Sequence, residues 1–370
     1  KLPKKNRVLV FDREGSEILK KTLGLNTFEI LHIRNEKINL TVVFFLAIKF
    51  QLNYLNYYLK IIELVDPKLI ITFIDNNIDF YKLKKHFNKK VFISIQNGHR
   101  MAWGDIFGKL ASQKKRGNLS ADYIITFNKN ISKKYKKYIK CKTLNYGSLK
   151  NNHVPTENIV YSKKNSLVYI SAYRNKLWDI QNKKIRMDEY DERFNKKYKY
   201  ELEEHIHFDL PKILKDFCCK YNMKFNILGM SNSRKEINFY KKILKNKFNF
   251  IKKKNFTSNY IKLQKHNLVV SSVSTLGYEA LVRKTKICFV SPNISKREQS
   301  YKFGWPYVKK DKDFFFINDL DEKKIEKILL NLKKMSRSNW NTKIHKFRKN
   351  LMDYDYKNMK LREKIKQVLN

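Results

Sequence analysis

Cysteine, proline and glycine are scarce in this sequence: its 370 residues include four Cys, six Pro and ten Gly. The cysteines have neither the spacing of a metal site nor the density of a disulfide-stabilised secreted domain. A reduced, cytoplasmic protein is therefore expected. The few glycines form no Gly-x-Gly-x-x-Gly, Gly-Lys-Ser/Thr or Gly-x-Ser-x-Gly motif, which argues against Rossmann dehydrogenases, P-loop NTPases and α/β-hydrolases.

Long apolar runs are also missing. The longest, 40–48, is bounded by Lys37 and Lys49, whereas a membrane-spanning helix needs about 20 apolar residues. No segment has the pattern of a secretory signal. The sequence thus predicts no membrane-spanning helix.

Acidic residues are few: 34 Asp and Glu stand against 80 Lys and Arg, giving a net charge of +46. Such an excess is one signature of nucleic-acid binding. Here, however, most of the basic residues are Lys and they are spread over the whole chain, together with abundant Asn, Ile, Tyr and Phe, as in proteins of A+T-rich genomes. This distribution argues against nucleic acid as the partner. A cationic surface also attracts anionic lipid headgroups, so peripheral attachment to the inner face of the cell membrane is the second expectation.

Short apolar runs alternate with helical stretches along the chain, which predicts an α/β protein with parallel sheets. The expected strands are 7–12, 28–33, 68–75, 91–96 and 122–127, then 166–171, 224–229, 248–251, 267–272, 286–291 and 314–318. One long helix is expected over 40–64, and a polar linker over 150–164. The predicted domains are residues 1–150, residues 165–320 and C-terminal helices over 321–370. Two Rossmann-like lobes with a central cleft follow, and ligands are expected at the carboxyl ends of the strands.

The strongest local pattern is VVSSVSTLGYEA at 269–280, where a buried strand leads through Ser272 into a helix. Ser274 suits the N-cap, and the helix start at Thr275 would present amide donors to a phosphate. Gly277 would let a ligand or another backbone approach closely. Glu279 could accept hydrogen bonds from ribose hydroxyls, and a glutamate so near a helix start is seldom part of a core. The alternative is a capped helix packed on its strand.

Three further positions in the second lobe are candidates, each balanced by a plain turn. Arg174 leaves the first strand of this lobe, where a guanidinium could bind pyrophosphate. Gly229 and the serines after it end the next strand. Trp305, in the loop KFGWP, could form an aromatic platform for a base or sugar, or could simply pack.

In the first lobe, SIQNGHR follows a buried strand. Asn97 and Gly98 predict a tight turn that would project His99 and Arg100. His99 could act as a general base or bind phosphate; the alternative is an exposed turn.

Two other loci belong to the same lobe. Asp12 and Glu14 follow the first strand, and either could deprotonate an acceptor hydroxyl, although Asp12 could equally cap a helix. Ser148 lies in YGSLKNN near the domain junction.

His205 and His207 lie beside two glutamates, but histidines two residues apart cannot share a helix face. No Asp-x-Asp pair follows a strand either. No metal and no cofactor are therefore expected.

Taken together, QNGHR, GSLKNN, ISAYR, STLGYEAL and FGWP resemble the GT-B glycosyltransferases of bacterial surface-carbohydrate biosynthesis. That group is distantly akin to the Kdo transferases and the CDP-glycerol polymer transferases. The resemblance covers roughly 7–318, with STLGYEAL its most specific part. It implies a nucleotide-sugar donor on the second lobe and a glycan or lipid-linked acceptor on the first.

Carried over by position, the resemblance puts donor phosphate on Ser274 and Thr275 and ribose on Glu279, with Ser171 and Arg174 facing the phosphates. His99 would be a base or a donor ligand, although the related polymer transferases have Trp-His-Gly where this chain has Asn-Gly-His.

The implied activity is metal-independent sugar transfer. The alternatives left open are another GT-B enzyme, either a polyol-phosphate transferase or a UDP-sugar 2-epimerase, and a basic nucleic-acid-binding protein.

Overall fold

The computed structural model describes residues 2–34, 36–101, 106–114, 119–154, 165–182, 199–272, 274–291 and 302–370. The chain divides into two compact units. The first is Lys1–Pro155 together with Met352–Asn370, and the second is Thr156–Leu351.

The first unit contains a parallel sheet of six strands in the order β2-β1-β3-β4-β5-β6. Its strands are β1 Val8–Phe11, β2 Glu29–Leu31, β3 Leu69–Thr72, β4 Val91–Ile95, β5 Ser120–Thr126 and β6 Lys140–Asn145. The central strands β1 and β3 are buried at every position, as expected of parallel strands covered on both faces.

Helices accompany these strands in the described part of this unit. They are α1 Ser16–Leu23, α2 Leu40–Ile48, α3 Tyr54–Val65, α4 Ile78–Leu83, α5 Ile106–Lys114, α6 Lys129–Lys136 and α7 Leu149–His153. Most begin where an Asn or Ser side chain caps the first turn; for example, Asn128 accepts hydrogen bonds from the amides of Asn130 and Ile131. Such caps satisfy amides that have no partner within the helix.

The second unit contains a seven-stranded sheet in the order β12-β13-β11-β10-β7-β8-β9. Its strands are β7 Ser166–Ile170, β8 Lys224–Leu228, β9 Asn249–Ile251, β10 Leu268–Ser271, β11 Ile287–Val290, β12 Lys312–Asp313 and β13 Phe316–Ile317. All pairs are parallel except β12 with β13. The helices are α8 Asn175–Gln181, α9 Lys199–Lys220, α10 Arg234–Leu244, α11 Phe256–Gln264, α12 Thr275–Val282, α13 Glu322–Lys334 and α14 Arg337–Leu351.

The C-terminal segment returns to the first unit and ends in α15 Met359–Leu369. Leu361 and Ile365 are buried in the core beside β1 and β3, and each such side chain contributes about 1.5–3 kcal/mol by burial. Arg362 donates two hydrogen bonds, of 3.1 and 2.8 Å, to the carbonyl of Thr22 in α1. The helices expected over 321–370 are therefore shared, with α13 and α14 in the second unit and α15 in the first.

The predicted α/β architecture with two Rossmann-like units and C-terminal helices is confirmed, with local corrections. The single helix expected over 40–64 is wrong: α2 and α3 are separate, and Phe50 between them has a left-handed backbone. The edge strand β6 and the short strand β12 were not predicted. The expected linker begins as helix α7, and residues 155–164 lie outside the described part.

An aromatic cluster fills one side of the second unit. Phe303 stacks on Tyr278, with ring centroids 5.5 Å apart, and lies 4.5 Å from Phe289. Phe315 lies 5.2 Å from Phe303, and Trp340 lies 5.8 Å from Phe315. The cluster joins α12, the KFGWP loop and α14, so the loop that carries Trp305 is anchored beside α12.

Candidate functional site

The second sheet reverses its strand order at β7. From β7 the chain adds β8 and β9 on one side, and then returns to place β10 and β11 on the other. In open α/β sheets, ligands bind outside the carboxyl ends of the strands at such a switch point. The carboxyl ends of β7 and β10, where Ser171 and Ser272 lie, are thus the place in this unit to look for a ligand.

The β10–α12 junction carries the hydroxyl groups expected from the sequence. Ser271 and Ser272 are both buried. Ser274 takes the N-cap position with an extended backbone, and the part of the chain that the structure describes supplies no hydrogen bond to its side chain as a cap. Ser274 and Thr275 are partly exposed at the helix start. The junction therefore presents accessible hydroxyl groups at the positive end of the helix dipole.

Gly277 lets α12 lie directly on β10. A Cβ added to it would lie 2.5 Å from the Ser271 Oγ and 2.7 Å from the Ser271 Cβ, far inside van der Waals contact. Gly277 was expected to allow close approach of either a ligand or another backbone. The contact with Ser271 corresponds to the second of these roles. Among the described residues, the buried Ser271 Oγ has no hydrogen-bond partner.

Glu279 is buried, with 4 % of its surface exposed, so the expectation that it lies outside the core is wrong. Its carboxylate is hydrogen-bonded to the hydroxyl of Tyr260 in α11, and burial, followed by Glu279, raises the pKa of Tyr260 well above its usual value. The Arg283 guanidinium lies over the Tyr260 ring, 4.9 Å from its centroid. Glu279 is thus held in a fixed orientation by α11.

The end of β7 is organised by Glu236, a residue that sequence analysis missed. This carboxylate is fully buried and accepts a 2.6 Å hydrogen bond from the Ser171 Oγ. It also accepts hydrogen bonds from the backbone amides of Met230, Ser231 and Asn232, at 2.7, 2.7 and 3.0 Å. The Ser-x-x-Glu pattern that starts α10 at Ser233 could have identified it.

Glu236 therefore holds together the loops that follow β7 and β8. Ser171 also lies 2.9 Å from the Tyr240 hydroxyl, so its own hydroxyl group is engaged within the unit. A Cβ on Gly229 would lie 2.4 Å from the Phe250 ring, which accounts for this glycine by packing.

Arg174 and Tyr173 complete this edge of the sheet. Arg174 is exposed. The Tyr173 hydroxyl is buried and has no hydrogen-bond partner within the described ranges. Burial, followed by the nearby Glu236, raises the pKa of Tyr173 to about 12, so the phenol is a neutral donor at physiological pH.

Trp305 is partly exposed in a loop whose neighbours are fixed. Phe303 is fully buried, and its amide donates a 2.9 Å hydrogen bond to the Asn318 side chain. The Gly304 amide donates a 3.0 Å hydrogen bond to the Tyr278 hydroxyl in α12. The loop is thus anchored on α12 and on Asn318, and the two roles considered for Trp305 stay predictions.

In the first unit, the turn after β4 is held by a buried ion pair. Arg100 and Asp75 are 4 % and 0 % exposed, and the Arg100 Nε donates a 2.9 Å hydrogen bond to Asp75 while its Nη2 binds the other carboxylate oxygen. The Asn97 amide donates a 3.0 Å hydrogen bond to Asp75. The Tyr135 hydroxyl also donates a hydrogen bond to this carboxylate. Arg100 is thus a buried positioning group, contrary to the expectation that it would project from the turn.

His99 lies in this turn, at the carboxyl end of β4, and its side chain is partly exposed. Burial, with the Arg100 charge as a second cause, lowers its pKa to about 3. The imidazole is therefore neutral near pH 7, and it is a weaker base than an ordinary histidine. The Gly98 carbonyl accepts a 2.8 Å hydrogen bond from the Gln96 side chain, which fixes the turn.

Asp12 and Glu14 both bind Arg34. Asp12 is fully buried and accepts hydrogen bonds of 3.0 and 2.7 Å from the Arg34 Nε and Nη2, whereas Glu14 is exposed and lies 2.5 Å from Nη1. The alternative of Asp12 as a helix cap is wrong, because Gly15 takes the N-cap position of α1. Of the two carboxylates, only Glu14 is accessible.

Ser148 caps α7, where its buried hydroxyl accepts a 3.4 Å hydrogen bond from the Asn151 amide. The Asn152 side chain in the same motif bonds to Tyr146 and Asn358. A Cβ on Gly147 would lie 1.9 Å from the Asp353 carbonyl oxygen. The motif therefore binds the returning C-terminal segment.

Metal ligands are not grouped in the described ranges: no three His, Cys, Asp or Glu side chains lie together there. The side chain of His205 is not among those that the structure describes, whereas that of His207 is.

A family model described as "putative O-antigen biosynthesis protein" matches residues 93–369. The chain belongs to this family. The match covers more than half of the sequence, including the loops after β4, β7 and β10, and it leaves Asp12 and Glu14 outside. A comparison with curated proteins finds no match.

Solved structures show that this O-antigen biosynthesis family member has the GT-B fold. Staphylococcus aureus MnaA in complex with UDP aligns over 100 % of this chain and 97 % of its own, with a TM-score of 0.57 and 11 % identity. Methanocaldococcus jannaschii UDP-GlcNAc 2-epimerase, with UDP-GlcNAc and UDP, aligns over 97 % and 99 %, with a TM-score of 0.53 and 11 % identity. The wall teichoic acid polymerase TagF aligns over 99 % and 89 %, with a TM-score of 0.53 and 13 % identity. At these identities the likeness concerns the fold alone.

Proposed function

We propose that the chain is a glycosyltransferase that transfers a sugar from a nucleotide-sugar donor to a surface-polysaccharide acceptor, without a catalytic metal. The observation that carries the proposal is the switch point of the second sheet. There the hydroxyl groups of Ser274 and Thr275 and the exposed Arg174 follow neighbouring strands. Membership of an O-antigen biosynthesis family supports a substrate in surface glycan assembly.

On the donor side, the amides and hydroxyl groups at the start of α12 bind the phosphates together with Arg174. A helix N-terminus and a guanidinium stabilise the charge that develops on a departing nucleotide. Glu279, oriented by Tyr260, accepts hydrogen bonds from the ribose hydroxyls. Ser171 acts indirectly, since its hydroxyl is bound to Glu236.

The acceptor is assigned to the first unit, with His99 accepting a hydrogen bond from the acceptor hydroxyl. A neutral imidazole can do so near pH 7, although its lowered pKa makes complete proton abstraction less favourable. Glu14, which is exposed, is the second candidate base. His99→Asn is expected to lower kcat more than it weakens donor binding; equal turnover would reduce His99 to a turn residue.

A nucleotide screen by thermal shift tests the donor assignment. CMP, UDP, dTDP, GDP and CDP are added separately. A nucleotide at 100 times its Kd stabilises the folded state by about 2.7 kcal/mol, which raises the Tm of a unit of this size by roughly 5–10 °C. Arg174→Gln should remove most of the shift. The matched control is Arg234→Gln, since Arg234 is also exposed and also lies where a helix begins in the same unit.

The donor site is contradicted if the Tm shift persists in Arg174→Gln. It is also contradicted if none of the nucleotides raises the Tm. The reaction class is tested separately with nucleotide sugars of the preferred base. A transferase releases free nucleotide only when a glycan acceptor is added. Conversion of one nucleotide sugar into another without acceptor would instead establish a 2-epimerase, the activity named for the M. jannaschii structure.

A further inference from the structure

The surface around α2 exposes an unusual amount of apolar side chain. Large hydrophobic residues between 38 and 54 stand out in solvent, among them Leu40 (76 %), Phe44 (68 %), Ile48 (62 %), Phe50 (97 %), Leu52 (61 %) and Tyr54 (70 %). With about 200 Å² for each aromatic side chain, this apolar surface amounts to on the order of 1,000 Å². A monomer rarely exposes a contiguous patch of more than a few hundred Å² without a partner.

Helix α2 has more apolar side chains than the first unit buries. No residue of α2 is charged, and only Val42 and Leu46, one turn apart, are buried. An ordinary surface helix has charged or polar residues on its outer face. Here that face carries Leu40, Phe44 and Ile48.

The apolar surface is also held in place. Asn39 caps α2 by accepting a 3.2 Å hydrogen bond from the Val42 amide, and the Asn39 amide donates a 2.9 Å hydrogen bond to the Tyr57 hydroxyl in α3. Phe50 has a left-handed backbone with φ of 52°, an uncommon conformation for an aromatic residue. The turn between α2 and α3 thereby presents almost the whole Phe50 ring to solvent.

Positive charge borders this surface. The sequence from Lys37 to Ile62 contains no Asp or Glu. The Nζ atoms of Lys49 and Lys60 lie 4.5 and 4.8 Å from the centroid of the Phe45 ring. Lysines beside exposed Phe and Leu side chains are typical of helices that lie in the interface of an anionic membrane.

We propose that α2 and the turn after it dock the protein on an anionic lipid bilayer. The apolar side chains enter the boundary between headgroups and acyl chains, while Lys37 and Lys49 bind lipid phosphates. Lys60 is instead ion-paired with Glu63, 3.1 Å away in α3. No described helix is both long enough and apolar enough to cross a membrane, and the nine residues of α2 span only about 14 Å. The docking is thus interfacial. This inference does not depend on the proposed enzyme activity.

The test is co-sedimentation of the full chain with vesicles of phosphatidylcholine alone and of phosphatidylcholine mixed with phosphatidylglycerol. The unaltered chain should bind the mixed vesicles and bind the neutral ones at least tenfold more weakly. Phe44→Ser with Phe50→Ser should lower binding to the mixed vesicles at least tenfold. The matched control is Met230→Ser with Ile261→Ser, which removes two exposed apolar side chains from the second unit and should leave binding unchanged.

Three outcomes would overturn the proposal. The chain could fail to bind mixed vesicles, or the two phenylalanine substitutions could leave binding intact. Analytical ultracentrifugation could show a dimer that these substitutions dissociate, which would assign the apolar surface to a second copy of the chain. Thermal shift by nucleotides is measured on the variant with both phenylalanine substitutions and should be unchanged, so failure of membrane docking is distinguished from failure of the donor site.

Discussion

The buried ion pair between Asp75 and Arg100 offers a sharp test of how the first unit is held together. Asp75→Asn leaves the Arg100 guanidinium, 4 % exposed, without a countercharge. Removing one partner of a buried pair costs about 3–5 kcal/mol, because the remaining charge stays desolvated. Arg100→Met should cost a similar amount. With unfolding free energies of about 5–15 kcal/mol for a typical domain, either change would remove a large part of the stability.

The double variant is more informative than either single one. Asp75→Asn with Arg100→Met leaves neither charge buried, so its cost should fall short of the sum of the two by at least about 2 kcal/mol. The control is the exposed pair of Asp79 and Lys82, 2.8 Å apart, whose side chains are 49 % and 39 % exposed. An exposed i,i+3 pair couples by only about 0.2–0.5 kcal/mol.

The measurement must report on the first unit alone, because a chain of two units need not unfold in a single transition. Hydrogen exchange of peptides from β3 and β4, followed in increasing urea, gives the opening free energy of that sheet. A coupling energy for Asp75 and Arg100 no larger than that of the exposed pair would refute the reasoning.

Two further predictions concern His99 and Gly147. The folded-state pKa of His99, about 3, lies below the unfolded value of about 6.5, so its contribution is fully present above about pH 6.5 and is lost as the pH falls towards 3. The stability lost at about pH 5 is at most about 2 kcal/mol, and partial exposure of the ring reduces it. His99→Asn should therefore flatten this part of a plot of Tm against pH. An unchanged slope would contradict the lowered pKa of His99. Gly147→Ala should destabilise the first unit by more than Gly24→Ala, because both glycines have left-handed backbones but only Gly147 lies against the Asp353 carbonyl. The left-handed backbone alone costs about 1–2 kcal/mol, and urea denaturation with limited proteolysis of the C-terminal segment would show whether the two variants differ.

The buried strands were predictable because their signal is local. Runs such as VLVF and LIIT are apolar at every position, and a parallel strand covered on both faces needs nothing else. The edge strand β6, KCKTLN, has no such signal, since lysines alternate with partly buried residues. The break between α2 and α3 lacks Pro and Gly, so only the capping Asn53 marks it in the sequence.

The candidate site was predictable in its location but not in its internal contacts. Serines after strands, followed by a helix, identify the carboxyl edge of the sheet. Asp75 could not be recognised as a buried acceptor from the sequence, because its donors on Asn97, Arg100 and Tyr135 are brought to it only by the fold. For the same reason Glu279, four residues into a short helix, gave no sign of its contact with Tyr260. Glu236, in contrast, is marked by the Ser-x-x-Glu pattern at the start of α10.

The return of α15 to the first unit affects how the protein is made. The Lys68 side chain contacts the carbonyl oxygen of Asn370, 302 positions later, and the second unit occupies the sequence between. During translation the sheet of the first unit emerges before the second unit, whereas the helix that carries Leu361 and Ile365 emerges after it. Part of the apolar face of that sheet therefore stays exposed while the ribosome synthesises the second unit. A version of the first unit produced by itself would need residues 352–370 joined after its amino-terminal part.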